Sequence, residues 1–108
     1  MTDKPSVVAI RLSAARLQKH VRVTARDSSR VVFREPPDRR NLAGELTYRQ
    51  VLKCLQEGQI IGKPIMQNAF WQFQMRRHAA GLTVTVEAAA LAAGARVEQI
   101  IVLGFDAE

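Results

Sequence analysis

Apolar and polar positions change period along this chain, and the changes mark its elements. Over residues 10–26, IRLSAARLQKHVRVTAR, apolar positions recur at helical spacing. At about 100° per residue, Ile10, Ser13, Ala14, Leu17, Val21 and Thr24 share one face. Arg11, Lys19, Arg22 and Arg26 gather on the opposite side. The spacing predicts an amphipathic helix with a basic outer stripe. His20 falls between the two faces and reads as a surface residue. Val31-Val32-Phe33 is a short apolar run and predicts a strand. Residues 34–46 contain Pro36, Pro37 and Gly44, which predict a loop or a loop with one helical turn.

A second helix has clearer punctuation. Thr47 is a good N-cap, and Gln50 three residues later completes a capping box. Leu46 and Val51 are placed as a hydrophobic staple. Tyr48, Val51, Leu52 and Leu55 form the apolar face. Gly58 is expected to end the helix in a left-handed conformation. Cys54 lies beside the apolar face and reads as a packing residue rather than a nucleophile.

The period then shortens to two. Gln59-Ile60-Ile61 predicts a short strand, broken by Gly62 and Pro64. In residues 70–78, FWQFQMRRH, Trp71, Phe73 and Met75 alternate with Gln72, Gln74, Arg76 and His78. Ala80-Gly81 predicts a hairpin turn, after which Val84 and Val86 alternate with Thr83, Thr85 and Glu87. Residues 88–95 are rich in alanine and fit either a longer strand or a helical turn. Gly94 offers a second turn, and residues 97–105 close as an apolar strand. The order predicts an α+β fold, with two helices packed on a three- to four-stranded antiparallel sheet and one sheet face left open. Residues 1–9 read as a flexible N-terminus and 10–105 as a single domain.

Composition narrows the class. The chain has 108 residues, 47% of them hydrophobic, and a formal charge of +6. One cysteine forms no internal disulfide, and with two separated histidines it offers no metal-ligand pattern. No apolar run approaches the roughly 18 residues of a membrane span, and the run SVVAI is too short for a secretory signal. The expectation is a cytoplasmic domain without cofactor, metal or membrane. Residues 1–53 carry 12 Lys and Arg against 5 acids, a net +7. Residues 54–108 carry 4 against 5, a net −1. Such asymmetry points to an anionic partner: RNA, DNA or an acidic protein.

Phosphate-loop, dinucleotide, HExxH and nucleophile-elbow motifs are absent from the sequence. What remains is the polar face of residues 70–78. A histidine and an arginine on one sheet face suit metal-free RNA cleavage, with His78 as acid or base and Arg76 stabilising charge on the phosphorane. They suit a solvated sheet face equally well. Arg11, Lys19, Arg22, Arg26 and Arg30 are the candidate phosphate contacts.

The segment VVF-x13-TYRQVLKCLQEGQI, followed by Met75 and Ala80-Gly81, resembles a small bacterial domain family of unknown function related to the BrnT and RelE/ParE toxins. The resemblance runs over roughly residues 12–104. Members carry a His-Arg-Arg polar motif between the first strand and the second helix. At matching spacing its histidine falls on Pro36, its first arginine on Arg40 and its second on Gly44, so only Arg40 survives. The resemblance implies a RelE/barnase-like fold and a toxin-like, RNA-associated domain. It implies a metal-independent endoribonuclease with weakened or lost catalysis, to which Arg40 would contribute beside Arg76 and His78. Two alternatives remain on the residues alone. One is a non-catalytic nucleic-acid-binding module. The other is a protein-interaction module for an acidic partner such as an antitoxin or another subunit, and its edge strands and apolar C-terminal strand would also permit self-association.

Overall fold

The computed structural model describes residues 13–34, 48–93 and 96–108. In chain order these form helix α1 (Ala14–Thr24), a 3-10 turn (Ser28–Arg30), strand β1 (Val31–Phe33), helix α2 (Tyr48–Glu57) and strands β2 (Gln59–Gln67), β3 (Phe70–Ala79), β4 (Leu82–Ala93) and β5 (Arg96–Ala107). The strands make one sheet in the order β1-β5-β4-β3-β2. The α+β class is as expected, but the sheet has five strands rather than three or four, and it is mixed. β1 runs parallel to β5, with Val31 opposite Ile100. The other three pairings are antiparallel. A parallel pair needs a long connection, and here the α2-to-β4 segment supplies it.

Local chemistry explains where elements start and stop. Ser13, expected on the apolar face of the first helix, instead caps it, its hydroxyl accepting from the Arg16 amide at 3.2 Å. Ile10, Leu46, Thr47 and Gly94 lie outside the described residues. Gly58 does follow α2, but not in the left-handed conformation expected of it. A Cβ there would stand 2.5 Å from the Cys54 carbonyl oxygen and 2.8 Å from that of Arg76. Glycine is required by the close approach of helix end and strand.

β2 does not end at Gly62. Its pairing with β3 shifts register between Ile61 and Ile65, and Gly62 (φ +73°), Lys63 and Pro64 fill the bulge. Pro64 is tolerated because β2 is an edge strand. Residues 88–93 of the alanine-rich stretch form strand, for a packing reason. Trp71 stands opposite Ala90 and Phe73 opposite Ala88, so small residues make room for large ones.

Both helices cover one face of the sheet. Leu17 and Val21 of α1 meet Val51, Cys54 and Leu55 of α2 over Trp71, Phe73, Met75, Val86, Ile100 and Val102. Polar ties fix the arrangement. The Ile60 amide donates to Gln18 Oε1 at 2.7 Å, and Thr24 Oγ1 donates to the Val97 carbonyl at 2.7 Å. Among the described residues no helix is long and apolar enough to cross a membrane.

Candidate functional site

The opposite face of the sheet is uncovered by described elements, and period-two geometry assigns its residues. On β3 these are Phe70, Gln72, Gln74, Arg76 and His78; on β4, Thr83, Thr85, Glu87, Ala89 and Leu91. The two-residue turn at Ala80-Gly81 sets the register, so Arg76 faces Thr85 and His78 faces Thr83. Both side-chain pairs are closed. Arg76 Nε donates to Thr85 Oγ1 at 3.2 Å, and His78 Nδ1 lies 2.7 Å from Thr83 Oγ1. The threonines therefore orient both side chains while leaving them exposed. When the hydroxyl donates to Nδ1, the outward Nε2 carries the proton; when Nδ1 donates, Nε2 is a free base.

Two carboxylates share this face. Glu87 is opposite Gln74, one pair along from Arg76, and Asp106 is opposite Thr85. Thus a histidine, an arginine and two carboxylates share the open face, with Glu87 two same-face pairs along from His78. Among the described residues no cluster of three His, Cys, Asp or Glu has metal-binding geometry. Glu87 and Asp106 were not expected here, and neither were the threonine anchors. The β4 alternation with the 80–81 turn was the signal that placed Thr83, Thr85 and Glu87.

The remaining candidates fall elsewhere. Arg40 and Arg11 lie outside the described residues. Lys19 on α1 and Arg26 in the turn after it are exposed, on the far side of the sheet from Arg76 and His78. Arg22 is engaged in the fold. Its guanidinium donates to the Gly58 carbonyl from Nε at 3.0 Å and from one terminal nitrogen at 2.6 Å, and to the Glu57 carbonyl at 3.2 Å. This places a cation on the C-terminal carbonyls of α2, where helix dipole and unpaired acceptors favour it. Arg30 pairs with Asp27 Oδ2 at 3.3 Å and donates to the Glu98 carbonyl at 3.2 Å. The Ser29 hydroxyl and amide, with Arg30, hold the Asp27 carboxyl below its usual range.

The structure therefore separates the basic stripe from the His–Arg pair. One stretch of nucleic acid lying on the open face does not also touch Lys19 and Arg26. Cys54 is excluded from chemistry by burial, which pushes its thiol up to about 12. Its Sγ lies 3.4 Å from the Met75 carbonyl oxygen, in the core.

No protein-family model matches the chain, and no curated protein or solved structure is significantly similar to it.

Proposed function

We propose that this chain is an RNA-associated domain of the toxin-like kind, acting in the cytoplasm, with the open sheet face as its RNA contact. One observation carries this reading. Arg76 and His78 project side by side from β3, each oriented by a threonine of β4, beside Glu87. In metal-independent cleavage a base removes the 2′-hydroxyl proton, a cation steadies the phosphorane, and an acid protonates the leaving 5′-oxygen. His78, Arg76 and Glu87 are the residues assigned to supply these groups. The proposal also rests on the sequence resemblance of the β1–α2 region.

The test is incubation of purified protein with labelled RNA in excess chelator. Cleavage lost in R76A and H78A variants that keep native circular dichroism supports the assignment. Undiminished cleavage in both overturns it.

A second reading has its own observation: Lys19 on α1 and Arg26 just after it are exposed, and their side chains make no hydrogen bond or ion pair to another described residue. On this reading the chain binds nucleic acid without cutting it, through the helical side. K19A and R26A would then each flatten the salt dependence of binding, while R76A and H78A would leave it unchanged.

A further inference from the structure

One row of register partners crosses the open face from edge to edge: Val32, Ile101, Ala89, Gln72 and Ile65. Among the described residues, its two ends are the large apolar side chains of this face left most exposed, Ile65 at 61% and Val32 at 43%. Two further rows lie toward the β3–β4 turn. In one, Arg76, Thr85 and Asp106 are partners. In the other, His78 faces Thr83, and Thr83 exchanges backbone bonds of 2.9 Å in both directions with Glu108. Each of these rows places a basic side chain on β3, a threonine on β4 and a carboxylate on β5.

The strand order puts β4 at the centre of the sheet. A twofold axis along β4, lying between two open faces, exchanges β3 with β5 and β2 with β1. It keeps every residue at its own height along the strands. Arg76 of one copy then stands over Asp106 of the other, and His78 stands over Glu108. Ile65 stands over Val32. In an isologous interface each such pair occurs twice. An axis across the strands would instead set the charged end of one face on the apolar end of the other, so the register favours the axis along β4.

Two residues on the axis fit this arrangement. Ala89 meets its own copy, and so small a side chain lets the sheets approach to about 10 Å. Glu87 also lies on β4, where a pair of like charges would repel. Its Oε1 is 4.0 Å from the place a Cβ of Gly104 would take, so the carboxylate leans off the axis over a residue of β5 that has no side chain. Above that place the other copy presents the amide of Gln74, the β3 partner of Glu87.

We infer that the open face is the interface of a homodimer with its twofold axis along β4. Strands β2 to β5 are 9 to 12 residues long. At about 3.3 Å per residue and about 4.8 Å between strands they offer roughly 700 Å². That is close to the roughly 800 Å² each partner gives to a stable interface. The twist of the sheets sets the two β4 strands about 30° apart. The dimer is independent of the RNA reading, and RNA on the open face would compete with the second copy.

Sedimentation equilibrium tests this. The wild-type chain is expected to sediment as a species of twice the chain mass at micromolar concentration. R76D and D106R each set like charges against each other twice and raise the dimer Kd at least about tenfold. I65D, at an exposed position, weakens it by about tenfold through its contact with Val32. The decisive arm mixes the two charge variants, folded by circular dichroism. Every reversed position then meets an opposite charge, so the pair forms a mixed dimer that neither chain forms alone. A monomer at all concentrations overturns the proposal. So does a dimer indifferent to R76D and D106R, or a mixture of the two that stays monomeric. Labelled RNA that binds the intact dimer supports the dimer and overturns the open face as the RNA contact.

Discussion

His78 and Thr83 are register partners across the β3–β4 hairpin, and their side chains meet at 2.7 Å. The contact holds the ring plane and pairs Nδ1 in either tautomer of the imidazole. Thr83→Val keeps a β-branched residue of similar shape and removes only the hydroxyl. The expected outcome is an unchanged fold and a changed ratio of His78 tautomers, read from the ring nitrogen shifts by NMR. If the tautomer ratio stays as in the wild-type chain, the hydroxyl does not orient the ring.

Arg22 is predicted to act on stability rather than on nucleic-acid binding. Arg22→Met retains the apolar stem and removes three charge-assisted contacts to the Glu57 and Gly58 carbonyls at the end of α2. Urea unfolding is expected to show a loss of about 1.5–3 kcal/mol. The salt dependence of any RNA binding should stay unchanged. A stable variant with a reduced salt slope would return Arg22 to the phosphate-binding set.

Gly58→Ala tests the close approach of α2 to β3. The added methyl meets two backbone carbonyl oxygens at 2.5 and 2.8 Å, neither of which is the end of a flexible side chain. Destabilisation of roughly 1–3 kcal/mol is expected. A neutral result would show that helix and strand separate freely at this point.

Ala69 is the reverse case. Its φ of +69° is costly for a residue with a Cβ, and Gly lacks that cost. Ala69→Gly is expected to raise stability by roughly 0.5–1 kcal/mol, measured as an increase in the urea midpoint.

The Cys54 thiol gives a pH prediction. Burial pushes it from 9.0 up to about 12 in the folded chain. Between those values the folded state keeps a proton that the unfolded state has released, so this group makes stability fall as pH rises. Below pH 9 both states are protonated and the group contributes no slope. Iodoacetamide at pH 8 should leave the native thiol unlabelled and alkylate it in urea. Rapid native labelling would contradict the burial.

The open-face site was partly legible because its geometry is local. Alternation in residues 70–78 put Gln72, Gln74, Arg76 and His78 together, and the Ala80-Gly81 turn fixed which β4 residues face them. The same alternation put Thr83, Thr85 and Glu87 on one face of their own strand, but their place beside Arg76 and His78 comes from the observed register. What stayed hidden depended on distant partners. Alanine has no strong strand preference, so residues 88–93 took their state from Trp71 and Phe73 across the pair. Arg22 sits on the basic side of its helix, and nothing nearby in sequence shows that the end of α2 comes within reach. The requirement for glycine at position 58 depends likewise on a carbonyl of β3, and so lies outside any helix-ending rule.

The parallel pairing of Val31 with Ile100 also dictates an order of assembly. β2 to β5 form a meander of neighbours, whose contacts close short loops and are quick to form. β1 precedes its partner by the whole of α2 and β2 to β4, and it stays unpaired until β5 has been made. The Thr24–Val97 tie of α1 waits for the same strand, whereas its Gln18–Ile60 tie forms sooner. β1 is therefore the last of these strands to be secured during synthesis, and until then its apolar residues are exposed to other chains and to chaperones.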